Sequence, residues 1–148
     1  MGEAVTTRAD IAEFLFRALF CLIFIGLGAE HLFKDDLIRF LMPDWVPFPR
    51  AVSVICGLWL VSWGGLILLD WHLRWSAIVG AFIVVVTAMV HAPALLGAAA
   101  EIPADCGWMW DILQRSNFAK NLCLLGVCCH LLYQRTGRLS LESYLAAR

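Results

Sequence analysis

The chain has 148 residues, 61% of them hydrophobic and only 16% charged, where a soluble domain averages ~45–50% and ~25%. That length fits one compact unit and leaves no room for a second folded domain. A formal net charge of -1 without any basic stripe excludes a nucleic-acid partner.

The first apolar stretch predicts a helix over about 11–33. It starts among the acidic residues Asp10 and Glu13 and is too long for a secretory signal. The preceding Met1-Gly2-Glu3-Ala4-Val5-Thr6 fits the short myristoylation pattern. The second stretch, 51–69, lacks a charged side chain and at ~1.5 Å per residue covers a hydrocarbon core of roughly 30 Å. Lipid offers backbone groups no partners, so such a segment must be helical. A third helix is expected over about 75–96. The fourth, over about 112–133, has the weakest signal, because Arg115, Asn117, Lys120 and Asn121 crowd its start. The expectation is an all-α integral membrane protein, a single-domain four-helix bundle running up-down-up-down.

Between the first two helices, Lys34 to Arg50 combines Leu37, Ile38, Phe40, Leu41 and Trp45 with Pro43, Pro47 and Pro49. That is too apolar for a solvated loop and too proline-rich for one helix. It reads as a short amphipathic turn in the headgroup layer followed by a stiff, extended return, acting as a plug or a ligand gate. In the next long loop, Trp108 and Trp110 mark a membrane interface. Gly137 is expected to end the fourth helix, with a semi-polar tail after it. Lys and Arg counts in short loops slightly favour the side holding Arg8, Arg74, Arg135, Arg138 and Arg148, which puts both termini in the cytoplasm.

Ionisable groups at membrane depth cost ~2.5–3.5 kcal/mol each on insertion scales, so each needs a reason. Glu13 and Arg17, four apart, are expected to pair, with Arg17 snorkelling toward the surface. Glu30-His31 ends the first helix and His91 lies near the end of the third, so parallel helices bring them to one depth. Lys120 starts the fourth helix at that level, with Cys106, Trp108 and Asp111 in the loop above. This convergence is the one candidate site.

Its chemistry has several readings. Two imidazoles, His31 and His91, could ligate haem iron or another transition metal, with no metal site expected elsewhere. Glu30 or His31 could move the protons of quinone reduction, while His91 bonds a carbonyl, Lys120 adds positive charge, and Trp108 and Asp111 complete the binding site. Alternatively these groups satisfy one another and only hold the helix ends together. His72 and His130 lie toward the opposite face as interfacial residues. The six cysteines include no C-x-x-C, and five sit in apolar stretches as small hydrophobes. No flavin or iron–sulfur motif is present.

Gly26-Leu27-Gly28-Ala29-Glu30-His31-Leu32, Pro43-Asp44-Trp45-Val46-Pro47, Gly57, Gly64-Gly65-Leu66-Ile67-Leu68-Leu69, His91-Ala92-Pro93 and Asn121-Leu122-Cys123-Leu124-Leu125-Gly126 together resemble the DoxX/DoxD-like family of small bacterial membrane proteins. The similarity covers roughly residues 17–132. Many relatives carry an acidic residue after the glycine matching Gly57, where this chain has Trp59 and Leu60. The resemblance implies a four-helix bundle in the bacterial inner membrane. It also implies association with redox chemistry, since the best-known relatives are membrane subunits of a thiosulfate:quinone oxidoreductase. The expected function is therefore an accessory subunit that binds a quinone-like ligand and takes electrons from a partner redox protein or larger membrane complex. The alternative is a non-catalytic assembly or scaffold protein.

Overall fold

The computed structural model describes residues 6–42, 46–96 and 105–148. Among the described residues all regular structure is helical: α1 (Arg8–Phe33), α2 (Asp36–Leu41), α3 (Pro49–Leu68), α4 (Ser76–Val86), α5 (Ala92–Leu95), α6 (Gly107–Leu131) and α7 (Leu141–Ala146). A 3-10 turn at Leu73–Trp75 leads into α4, and a π-helical turn at Thr87–His91 joins α4 to α5. Leu73–Leu95 therefore runs as one long helix. Among the described residues three helices are long and apolar enough to cross a membrane: Arg8–Phe33, Pro49–Leu68 and Leu73–Leu95. Their outer faces expose Leu19, Leu22, Ile55, Leu58, Val84 and Val85, as a lipid solvent requires. Helix α6, at 25 residues, is as long as these, but Asp111, Gln114, Arg115, Asn117, Lys120 and Asn121 make its first half polar.

Local chemistry sets the boundaries. Helix α1 starts before the expected residue 11 because Thr7 and Asp10 form a capping box: Thr7 Oγ1 accepts from Asp10 N at 3.2 Å, and Asp10 Oδ2 accepts from Thr7 N at 2.7 Å. Helix α3 starts at Pro49, whose fixed φ and missing N–H suit a first turn. It ends in a Schellman motif. Asp70 adopts φ 51, its N–H bonds Ile67 O at 3.0 Å, and Trp71 N–H bonds Leu66 O at 3.0 Å. Helix α6 begins at Gly107 rather than 112 and stops at Leu131.

The helices pack as two antiparallel pairs. In the first, α1 lies against α3 through glycines. A Cβ on Gly28 would stand 2.9 Å from Gly57 O, and one on Gly57 would stand 2.9 Å from Gly28 O, so the two backbones touch. In the second, α4 lies against α6. Gly80 faces Leu125 and Cys128, and Ser76 Oγ donates to Cys128 O at 3.2 Å. One apolar core joins the pairs, from Phe20, Cys21 and Phe24 through Leu60 and Ile67 to Val79, Ile83, Cys128 and Leu131.

At the end holding the chain's C-terminus, a buried ion pair replaces the expected Glu13–Arg17 contact. Arg17 is fully buried and pairs with Asp70, and its Nη2 donates to Leu139 O at 2.7 Å. Arg17 does not snorkel, because the Schellman turn aims a carboxylate back at it. Gly137 does not end a helix. Its N–H donates to Asp70 Oδ2 at 2.8 Å, and a Cβ there would strike the Glu13 carboxylate. The tail after it folds into α7, capped by Ser140 Oγ on Ser143 N at 3.0 Å.

Candidate functional site

Toward the opposite end a cavity of about 370 Å³ lies between the two helix pairs. Its walls are apolar: Ile23, Phe24 and Leu27 of α1, Leu60 of α3, Phe82 and Val86 of α4, and Leu124 of α6. Its polar groups are His31, His91, Asn117, Lys120 and Asn121. Ligand pockets of ~300–1,000 Å³ usually combine apolar walls with a few placed polar groups. An open surface groove of about 640 Å³ lies elsewhere, between Arg39 and Ile55, and encloses no chemistry of this kind.

Helix α1 brings His31 to the cavity one turn beyond Leu27. The Nδ1–H of His31 donates to Leu27 O at 2.8 Å, and Ser53 Oγ of α3 donates to His31 O at 3.1 Å, so both ring and backbone are held. His91 occupies the last position of the π turn. Ala92 N–H reaches back to Thr87 O, five residues away, one step before Pro93. Proline lacks the N–H that would continue the α ladder, which accounts for a local change of winding there. His91 Nδ1 bonds Gln114 Oε1 at 2.6 Å, and Gln114 is only 1% exposed. One π turn earlier, Asn121 Nδ2 donates to Thr87 Oγ1 at 3.1 Å. Lys120 Nζ donates to Asn117 Oδ1 at 2.9 Å.

His31, His91 and Lys120 thus meet at one cavity, while three other expected residues do not line it. Glu30 is exposed, because consecutive helix residues point ~100° apart and His31 takes the inward direction. Trp108 is 65% exposed at the start of α6. Asp111 is exposed and pairs with Arg115 at 2.9 Å. Of the cysteines, Cys56 lines the cavity, and all six are free thiols. Among the described residues no group of three or more His, Cys, Asp or Glu side chains gathers as for a metal ion. Haem iron would find two imidazoles, His31 and His91, at this cavity.

Sequence reasoning missed Gln114, Asn117 and Thr87 as site residues and gave Asn121 no site role. The signal was a stripe at heptad spacing: Gln114, Asn121 and Cys128 recur every seven residues and are buried, Gln114 and Asn121 against the π turn at His91 and Thr87 and Cys128 against α4. The connection after α1 does form a short helix, and Ile38, Met42 and Val46 close the cavity from that side. The expected proline-stiffened return falls partly on 43–45, outside the described residues, as does the loop over 97–104. Asp35 anchors this cap, with its carboxylate 2.6 Å from Arg50 and 3.2 Å from Arg39. Hydrogen bonding from Arg50 holds the Asp35 carboxyl below the usual carboxylate range.

No protein-family model, curated protein or solved structure matches this chain.

Proposed function

We propose that the cavity binds a quinone-like ligand and that the protein is a small redox-associated membrane subunit. The observation that carries this reading is the cavity itself, apolar along its walls and furnished with two imidazoles and a lysine. Such a site suits a molecule with a long hydrocarbon tail and a compact polar ring. His31 and His91 stand in reach of the ring's oxygens, and an imidazole can take or give their protons. Lys120 favours an oxygen that gains negative charge. Electrons come from a partner redox protein or larger complex. In this reading the two helix pairs form an up-down-up-down four-helix bundle of the DoxX/DoxD-like kind, set in a bacterial inner membrane with both termini cytoplasmic.

Native mass spectrometry from mild detergent, followed by solvent extraction, tests the proposal. A bound quinone or quinol is expected, with His91→Ala and His31→Ala each weakening the binding of added decyl-hydroquinone by about tenfold. A Soret band lost in either variant would replace quinone with haem. A colourless, quinone-free protein whose histidine variants keep the cellular phenotype would point instead to a scaffold.

A further inference from the structure

Hydrogen bonds already made by the cavity's polar residues restrict what a ligand can offer them. The partner of His31 Nδ1 is a backbone carbonyl, which only accepts, so Nδ1 carries the proton. A neutral imidazole protonated there has its lone pair on Nε2. At His91 the Gln114 carboxamide oxygen plays the same part. Among the described residues neither Nε2 has a partner, and neither is sealed from its surroundings as the orphaned Nε2 of Gln114 is. Asn121 spends its Nδ2 on Thr87 and keeps Oδ1. The cavity therefore presents acceptors at His31, His91 and Asn121, alongside donors remaining on Lys120 and Asn117.

A carbonyl oxygen satisfies only the donors and sets lone pair against lone pair at either imidazole. A hydroxyl satisfies both sets, donating to Nε2 while accepting from Lys120 or Asn117. We infer that the site selects a dihydroxylated aromatic headgroup, the quinol form, over the corresponding quinone, with Gln114 as the positioning residue that sets the tautomer of His91. The inference rests on the quinone-like reading above. It reverses one expectation from the sequence, because His91 accepts from the ligand rather than donating to a carbonyl.

The test uses the full-length protein in detergent under anaerobic conditions, with three probes sharing one tail: decyl-hydroquinone, its dimethyl ether and decyl-benzoquinone. Equilibrium dialysis should give the hydroquinone about a tenfold or greater advantage over both acceptor-only probes. Imidazole ¹⁵N NMR should show two Nδ1-protonated rings whose Nε2 signals move when the hydroquinone binds. Gln114→Leu should narrow the preference severalfold, and Gln114→Glu, which still accepts from Nδ1–H, should restore it. Equal or tighter binding of the benzoquinone, or an Nε2-protonated ring, overturns the inference and leaves the cavity reading intact. Binding of none of the three probes overturns that reading itself.

Discussion

Arg17 shows how far a single side chain can be carried by its partners. Its guanidinium is fully buried on a membrane-spanning helix and is met by Asp70 and by the carbonyl of Leu139. Removing one member of a buried pair strands the other, at a typical cost of ~3–5 kcal/mol. Arg17→Leu should therefore destabilise the protein by roughly that amount, measured by thermal unfolding in detergent. Arg17→Met combined with Asp70→Asn should recover much of the loss, because the amide carries no charge, still accepts from Gly137 N–H and tolerates the positive φ at 70. Asp35 makes a second residue-level test, outside the spans. Its folded carboxyl titrates below the unfolded value of ~3.9. As the pH falls the unfolded chain takes up the proton first. The contribution is then complete above that value and is lost as the pH drops through the folded pKa. Unfolding between pH 6 and pH 3 should show an acid slope that Asp35→Asn makes shallower, other carboxyls supplying the remainder.

At the scale of the element, α1 and α3 pack as closely as they do because glycine stands at the crossing. A Cβ on Gly28 would approach Val61 Cγ2 at 2.7 Å and backbone atoms of Gly57 and Val61 at 2.9 and 3.0 Å. Backbone cannot swing aside, so the helices must separate. Gly28→Ala should cost about 1–3 kcal/mol, as overpacking does. Gly26, two residues away, has nothing within 4 Å of the place an alanine methyl would take, so Gly26→Ala should be neutral or stabilising by about 0.5–1 kcal/mol through helix propensity. Parallel thermal melts compare the two, and equal effects would refute the close crossing. The π turn makes the same point for the second pair. Pro93 is plain in the sequence, and its missing N–H accounts for the rewinding at Thr87–His91, which sets His91 beside Gln114 of α6.

For the whole molecule, the two ends do separate work. One end is closed by Arg17, Asp70 and the C-terminal tail, and the other opens into the cavity. Lesions this far apart, with no shared partners, should act additively. Saturating decyl-hydroquinone at 100 times its Kd should stabilise the protein by ~2.7 kcal/mol. Arg17→Leu should lower the melting temperature while leaving that Kd and that increment unchanged, as read by ligand titration and by melts with and without ligand. A large loss of affinity would show that the ends are coupled.

The amino-acid pattern alone determined the helical segments and their apolar character, because lipid and period leave a long uncharged run little choice. It also marked His31, His91 and Lys120 as polar groups at one depth, since each interrupts an apolar stretch near a helix end. Glu30 shared that depth but not the direction, and depth is all that spacing along a chain reports; Trp108 and Asp111, expected in the loop above, fall on the first turns of α6 outside the cavity. Tertiary structure decided which way each side chain turned and what it met: Arg17 found Asp70 rather than Glu13, and His91 found Gln114. Those pairs join residues 53 and 23 positions apart, so only the packing of one helix on another could bring them together.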